Sequence, residues 1–443
     1  MPLAFVPGER VGFISRRCQM TSIADRVAGA PPADEADARA AAAQPVAPPV
    51  ALPAISLPAG AERELRLDLF RGLALWLIFI DHLPNNFLAW FTIRNYGFSD
   101  ATEIFIFISG YTAAFVYGRA MLEAGFVVAT ARILRRVWQI YVAHVFLFTI
   151  FLAEISYVAA RFDNPLYAEE MGIMDFLKQP DVTIIQALLL RFRPANMDVL
   201  PLYIVLMLFL PLIIWLMKWR PDVALVLSVA LYAATWQFDL HLSAYPNGFW
   251  IFNPFAWQLL FVFGAWCALG GARRMSKILS SPVTMWICGA YLLFAFCVTL
   301  TWHLPQLNFL MPKRIEQWMY PITKTDMDVL RFAHFLALAA VTVRLLPKDW
   351  PGLKSRWLRP VMLCGQHSLE IFCLGVFLAF AGHFVLAELS GGGRVMQFVV
   401  SLAGIIIMSG MAWIISWYKH SADKSASRKK GAVGNADMAG GGA

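Results

Sequence analysis

Long apolar segments recur along most of this chain and restrict the folds open to it. From Leu67 onward, ten segments are long enough, or nearly so, to cross the hydrocarbon core of a bilayer, which is about 30 Å thick. Charged residues make up only 15% of the chain, whereas soluble proteins have about 25%. The sequence therefore predicts an all-α polytopic membrane protein with about ten transmembrane helices. The predicted spans are 67–84, 101–118, 137–159, 198–217, 222–238, 254–270, 283–302, 328–346, 361–385 and 397–417.

Basic residues between these segments predict how the chain is oriented. If the N-terminus is cytosolic, Lys and Arg gather in the connections on the cytosolic side, and the opposite loops are richer in Asp and Glu. This is the distribution that the positive-inside rule requires, and it places both termini in the cytosol. The same placement accounts for the net charge of +8, so we expect a lipid bilayer and no nucleic acid as a partner.

The two ends of the chain differ in composition from the apolar part. Residues 1–60 are rich in Ala and Pro, cannot bury a core and are predicted to be a disordered cytosolic tail. Residues 421–443 are basic and Gly-rich and are predicted to form a second disordered cytosolic tail. Residues 61–420 then form one transmembrane domain. The six cysteines lack the spacing of a metal site, so no metal ligand is predicted.

The first apolar segment, RLDLFRGLALWLIFIDH, carries ionisable residues at both ends. Ten residues separate Arg71 from His82, so a helix would place both on one face with a rise of about 16 Å between them. Asp68 lies three residues before Arg71 and can pair with it. Ionisable residues at membrane depth are costly and are usually functional. The segment therefore predicts a functional His82 at its outer end.

His82 is the candidate general base. A neutral imidazole, with a pKa of about 6.5, can take a proton from a hydroxyl group at neutral pH. A carboxylate could orient the ring, and Asp81 is adjacent, but neighbours on a helix diverge by about 100°. Glu103, at the start of the second segment, is the leading candidate for that carboxylate, and Asp100 is the second. A structural charge at a helix start remains the alternative for Glu103.

Other motifs indicate packing or a donor site. Arg132, Arg135 and Arg136 lie at the inner end of the third segment and could clamp a phosphate from the cytosol, although by themselves they are better explained as ordinary positive-inside charge. His367 lies near the cytosolic end of the ninth segment and either serves the donor site or braces helices. Ser109-Gly110 favours close helix packing over substrate approach.

Taken together, these motifs resemble the acyltransferase-3 superfamily of polytopic membrane enzymes. More narrowly, the chain resembles the OpgC family, which is associated with succinylation of osmoregulated periplasmic glucans. The resemblance extends from Arg66 to Tyr418. It rests on Arg71-x10-His82 within LDLFRGLALWLIFIDHLPNN, on NYGFSDATEIFIFISGY at 95–111, on Arg132-x-x-Arg135, and on GQHSLEIFCLG at 365–375.

The resemblance implies an enzyme of the bacterial inner membrane. It would transfer an acyl group, with succinyl expected and acetyl still open, from a cytosolic acyl-CoA to a hydroxyl of a periplasmic glucan. The acyl-CoA is then a donor substrate, and no tightly bound cofactor is expected. Arg71 and His82 correspond to the functional Arg and His of the superfamily, and Arg132 and Arg135 correspond to its Arg pair.

Two chemistries and two other classes of protein stay open at this point. His82 either acts as a base in direct transfer, with Arg71 stabilising developing charge or holding the first helix in place, or it forms an acyl-histidine intermediate. A secondary transporter would also bury charges along a polar pathway, but no clear internal repeat is present. A non-enzymatic membrane partner of glucan synthesis is the remaining alternative.

Overall fold

A computed structural model describes residues 64–162, 166–304, 306–307, 311–389 and 391–439, with side chains described as far as Ser421. About 80% of the structure is helical. Within these ranges the chain forms no strand, and an isolated bridge joins Ser243 to Phe249. The predicted all-α class is confirmed. The tail predicted at residues 1–60 lies outside the described residues.

The longer helices are labelled in chain order. They are α1 Leu65–Asp81, α2 Ala101–Arg161, α3 Val199–Trp219, α4 Pro221–Phe238, α5 Pro254–Trp266, α6 Pro282–His303, α7 Val329–Leu345, α8 Arg359–Gln366, α9 Ser368–Phe384 and α10 Arg394–Ala439. Short helical turns lie between them at Phe87–Phe91, Ile93–Asn95, Leu166–Glu170, Met174–Lys178, Pro180–Leu188, Cys267–Gly271, Ala272–Arg274, Ser276–Ser280, Lys313–Met319, Pro351–Lys354 and Val385–Leu389.

Seven helices in the described residues are long and apolar enough to cross a membrane. They begin with α2 and include α3, α4, α6 and α10, together with α5 and α9 extended by the turns that follow them. Helices α1 and α7 have only 17 residues each, so neither reaches the length of a standard span on its own. The structure thus confirms a membrane protein, whereas the count of ten spans and the orientation of the termini stay predictions.

One segment boundary agrees with the sequence prediction and one differs. The spans predicted at 101–118 and 137–159 lie on opposite sides of Gly125, where the backbone of α2 leaves the helical conformation, so α2 consists of two helical parts joined at a kink. Gly125 has φ 83° and ψ 173°, and glycine adopts this conformation without the steric cost of a Cβ atom. Conversely, the span predicted at 361–385 is divided at His367, whose φ of −110° and ψ of 41° end α8 before α9 begins.

The end of the chain also differs from its prediction. The segment expected to be disordered from residue 421 continues as the last part of α10, which ends at Ala439. Its residues include several Ala and Lys, which have high intrinsic helix propensity. A low content of apolar residues therefore does not prevent this segment from extending a preceding apolar helix.

Glycine contacts hold α1 directly against α8. A Cβ atom on Gly72 would stand 1.8 Å from the carbonyl oxygen of Val361, and one on Gly365 would stand 1.9 Å from the carbonyl oxygen of Asp68. Because these distances exclude any side chain, the two backbones pack as closely as helices can. Gly365 belongs to the GQHSLE motif, so this motif fixes the position of α1.

A second glycine pair joins α2 to α5. A Cβ on Gly110 would lie 2.1 Å from the carbonyl oxygen of Phe261, and one on Gly264 would lie 2.3 Å from that of Phe107. The packing role predicted for Ser109-Gly110 is confirmed. Helices α1 and α2, which carry the candidate site, are therefore each fixed by a backbone contact to another helix.

We predict that Gly365→Ala destabilises the protein, because the added methyl group forces α1 and α8 apart at a cost of about 1–3 kcal/mol. Gly410→Ala is the matched control: this helical glycine has open space around it, and alanine favours a helix by about 1 kcal/mol over glycine. Thermal unfolding of both variants in detergent measures the difference. Equal unfolding temperatures for the two variants would contradict the close packing of α1 on α8.

Candidate active site

A polar cavity of about 430 Å³ lies at the carboxyl end of α1. We call it the His82 cavity. Its walls come from the end of α1, the segment that leads into α2, the end of α6 and the residues before and at the start of α7. Its polar and ionisable lining residues are Asp81, His82, Arg94, Asn95, Ser99, Asp100, Thr102, His303, Lys324 and Arg331.

His82 follows the last residue of α1 and is half-buried. Its Nδ1 lies 2.5 Å from the carbonyl oxygen of Ile78. Because a carbonyl oxygen can only accept, Nδ1 carries a proton, and in the neutral ring Nε2 keeps its lone pair. Within the described part of the chain, the ring of His82 forms no other hydrogen bond. The neutral imidazole is therefore held in the tautomer of a base.

Glu103 does not orient His82, contrary to the leading sequence prediction. Its Oε1 accepts hydrogen bonds from Arg331, 2.6 Å from Nη2 and 2.9 Å from Nε, and its Oε2 accepts from the backbone N–H of Asp100 at 2.9 Å. The physical reason is a capping box at the start of α2, in which a Glu at the third helical position reaches back to the N-cap residue. The carbonyl of Ile78 takes the orienting role instead.

Asp100 completes a cluster of two carboxylates and two cations. Its Oδ2 accepts from Lys324 Nζ at 2.6 Å and from Arg331 Nη2 at 3.3 Å. Burial alone would raise the pKa of Asp100, but the charges of Lys324 and Arg331 hold that pKa well below its ordinary value. Asp100 is therefore a fixed anion in the cavity wall, paired with cations rather than with His82.

Sequence reasoning did not identify Lys324 or Arg331. Arg331 could have been singled out from the sequence, because it is a charged residue inside a predicted span at 328–346. No sequence feature indicated Lys324, because it lies in a polar loop 224 residues from its partner Asp100. Both residues enter the site only through the tertiary fold.

Asp81 also lines the cavity. Its Oδ1 accepts a hydrogen bond from Thr92 Oγ1 at 2.6 Å. The hydrogen bond that the structure gives the Asp81 side chain is thus to Thr92 and not to His82. Asp81 and Arg94 also line a second cavity of about 490 Å³, the Trp90 cavity, whose other polar residues are Asn85, Asn86, Trp90, Arg394 and Gln397. Since they share these two residues, the cavities adjoin.

Arg71 lines neither cavity. Its Nη2 donates to Thr112 Oγ1 at 2.7 Å and to the carbonyl oxygen of Ile108 at 3.2 Å. The continuous helix α1 keeps Arg71 about three turns from His82, a rise of about 16 Å. The geometry favours a role in holding α1 against α2 over contact with a group that reacts at His82.

The residues predicted for the donor site lie elsewhere in the fold. Arg132 and Arg135 are exposed on α2 beyond its bend, and Arg136 is half-buried with Nη1 donating to Gln139 at 3.3 Å. His367 is buried between α8 and α9, and its Nδ1 lies 3.2 Å from Lys419 Nζ. None of the four lines the His82 cavity, and their role in binding a donor stays a prediction.

We predict that Arg331→Met lowers the free energy of unfolding by about 3–5 kcal/mol, because it leaves the buried Glu103 without its cation. Lys324→Met removes the same charge from the same cluster, but the lysine side chain is 38% exposed, so we expect a much smaller loss. Chemical unfolding in detergent measures both. Equal losses would show that the cluster is not anchored by Arg331.

The similarity of the chain to known proteins identifies its family. No curated protein and no solved structure shows significant similarity to the chain. A family model described as "OpgC protein" matches residues 63–420, which include α1 to α9, both cavities and most of the apolar part of α10. This match covers most of the chain, and the protein therefore belongs to the OpgC family.

Proposed function

We propose that the protein is an inner-membrane O-acyltransferase that moves an acyl group, succinyl being the expected one, from a cytosolic acyl-CoA to a hydroxyl of a periplasmic glucan. Membership of the OpgC family indicates a transferase role in modifying osmoregulated periplasmic glucans. The donor, the acyl group and the part played by His82 belong to the proposal. Seven apolar helices support residence in a membrane.

The observation that carries the proposal is the fixed tautomer of His82. The Ile78 carbonyl holds the Nδ1 proton, so Nε2 has a lone pair within a cavity of about 430 Å³. This volume is within the range of pockets that hold small-molecule substrates, about 300–1,000 Å³. A base of this kind can activate a hydroxyl group without a metal ligand of its own.

Direct transfer follows from this arrangement. His82 Nε2 takes the proton of a glucose hydroxyl as the hydroxyl oxygen forms a bond to the thioester carbonyl carbon. The carbon–sulfur bond then breaks, and the imidazolium returns its proton to the departing CoA thiolate.

The Trp90 cavity is our candidate for the acceptor. Trp90 is 49% exposed, and its ring centroid lies 4.4 Å from that of His303, which lines the His82 cavity. An aromatic face beside Asn85 and Gln397 provides the apolar and hydrogen-bonding surfaces that a sugar ring requires. Because the two cavities adjoin, a hydroxyl of a sugar bound here can face His82.

The donor would approach from the opposite end of α1. We assign CoA recognition to Arg132 and Arg135, as the resemblance implies, and extend it to Arg136 and His367, the other donor-site candidates of the sequence. Arg71 acts as a positioning residue in this scheme, since its bonds to Ile108 and Thr112 tie α1 to α2. The acyl-histidine route differs in one observable: it would leave label on the protein when a labelled donor is supplied without glucan.

We predict that His82→Ala lowers transfer of labelled acyl groups to glucan on the order of 10²- to 10⁴-fold, because the base is lost. The assay uses purified full-length protein in detergent with acyl-CoA and glucan. His420→Ala is the control, because this histidine is exposed on α10 and lines neither cavity. Normal transfer by His82→Ala would reject His82 as the base, and solute flux without transfer by the wild type would indicate a transporter.

We also predict that Trp90→Ala raises the KM for glucan by about 3- to 10-fold, because the aromatic face no longer supports a sugar ring. The KM for the acyl donor should not change. Trp357→Ala is the matched control, since Trp357 is 79% exposed and lines neither cavity. If Trp90→Ala raised only the KM for the donor, the assignment of the glucan acceptor to the Trp90 cavity would be rejected.

A further inference from the structure

We propose that Arg94 and Lys324 bind a carboxylate at the far end of the transferred acyl group and so select a dicarboxylic acyl donor over a neutral one. The assignment rests on the proposed acyl transfer at His82. It identifies the specificity residues of that site, and Arg71, which lines neither cavity, is not one of them.

Three cations line the His82 cavity, and one of them already pairs with both carboxylates of the cavity wall. Arg331 directs Nε and Nη2 to Glu103 and also contacts Asp100. Its side chain is only 11% exposed. Arg331 therefore balances the carboxylates of the cavity wall and has little capacity for a ligand.

Lys324 is engaged only in part. Its Nζ donates to Asp100 Oδ2 at 2.6 Å, which uses one of the three ammonium N–H groups. The side chain is 38% exposed, and Nζ lies 5.3 Å from the centroid of the Phe252 ring. Two donors remain for a ligand in the cavity, and the aromatic ring and Asp100 together fix where the ammonium group lies.

Of the three cations, Arg94 is the one whose side chain forms no hydrogen bond or ion pair with the described residues. It lies in the short turn Ile93–Asn95, is exposed and lines both cavities. Within the part of the chain that the structure describes, its guanidinium forms no hydrogen bond and no ion pair. A planar guanidinium has five donors in a geometry that matches a carboxylate in two parallel hydrogen bonds.

Asp81 is the protein anion placed to occupy Arg94, since both residues line the same two cavities. The Oδ1 atom of Asp81 accepts from Thr92 instead, and no ion pair with Arg94 forms. The guanidinium thus stays available to an anion that enters the His82 cavity. A neutral acyl group could at most accept hydrogen bonds from Arg94 or Lys324 without forming an ion pair, whereas a carboxylate would gain an ion pair with shorter and stronger hydrogen bonds.

The site therefore provides a binding group for each end of the acyl chain. The reacting carbonyl lies at His82, and the distal carboxylate lies between Arg94 and Lys324 on the wall of the same cavity. This arrangement fits a short dicarboxylic acyl group, of which succinyl is the expected case. It also fixes the chain so that the carbonyl faces the acceptor hydroxyl.

The test compares donors that differ only in the distal group. Purified full-length wild type, Arg94→Gln, Arg94→Lys and Arg394→Gln receive succinyl-CoA or its neutral succinamoyl analogue, with glucan as the acceptor. We expect the wild type to prefer succinyl-CoA in kcat/KM. Arg94→Gln should reduce this preference on the order of 10- to 100-fold, and Arg94→Lys should keep part of it.

Arg394→Gln is the matched control, because it removes a guanidinium from the Trp90 cavity but not from the His82 cavity. The ratio between the two donors should not change in this variant. Arg94 is exposed and makes no hydrogen bond in the described chain, so Arg94→Gln should be as stable as the wild type.

The outcomes separate this assignment from the proposed function. An unchanged donor ratio in Arg94→Gln, or an equal loss with both donors, overturns the carboxylate site while acyl transfer stands. A wild type that transfers neither group overturns the proposed acyl transfer, and the carboxylate site falls with it. A ratio that falls only in the Arg94 variants supports the site.

Discussion

The pairing of Asp100 and Glu103 with Lys324 and Arg331 is the interaction on which the His82 cavity depends. Two carboxylates at the start of α2 cannot remain unpaired in an apolar environment, because burying an unpaired charge costs several kcal/mol. The cations that neutralise them come from α7 and the loop before it, 228 residues later in the case of Arg331 and Glu103. This ion cluster therefore joins the start of α2 to α7 and to the loop before it. The residues so joined form one wall of the cavity at the end of α1.

The helical class of the protein is readable from sequence because hydropathy is a local property. An apolar segment of sufficient length forms a helix wherever it lies in a membrane protein. The lengths of individual helices are not readable in the same way. Whether the backbone leaves the helical conformation at Gly125, and whether it does so at His367 inside an apolar segment, depends on backbone angles that hydropathy does not report. The sequence also did not predict that α10 extends to Ala439. Low hydropathy predicted disorder there, although several of the residues favour a helix.

The candidate site was predictable to the same limited extent. His82 could be identified from its own segment, since its spacing from Arg71 and its place at the end of an apolar run are local features. Its orienting group could not, because sequence reasoning sought a carboxylate side chain and the structure provides the backbone carbonyl of Ile78, which no residue type reveals. The capping box of Glu103 was a recognisable alternative, whereas the partnership of Lys324 with Asp100 joins residues far apart in the chain.

A carbonyl in place of a carboxylate has a consequence for the charge of the cavity. An Asp or Glu bonded to Nδ1 would add a negative charge beside His82 and would repel any anionic ligand. The Ile78 carbonyl fixes the same tautomer without that charge. The carboxylates near the cavity are also engaged, since Lys324 and Arg331 balance Asp100 and Glu103, and Thr92 donates to Asp81. The base is thus oriented by a neutral group, and the cavity around it stays open to a ligand that carries negative charge.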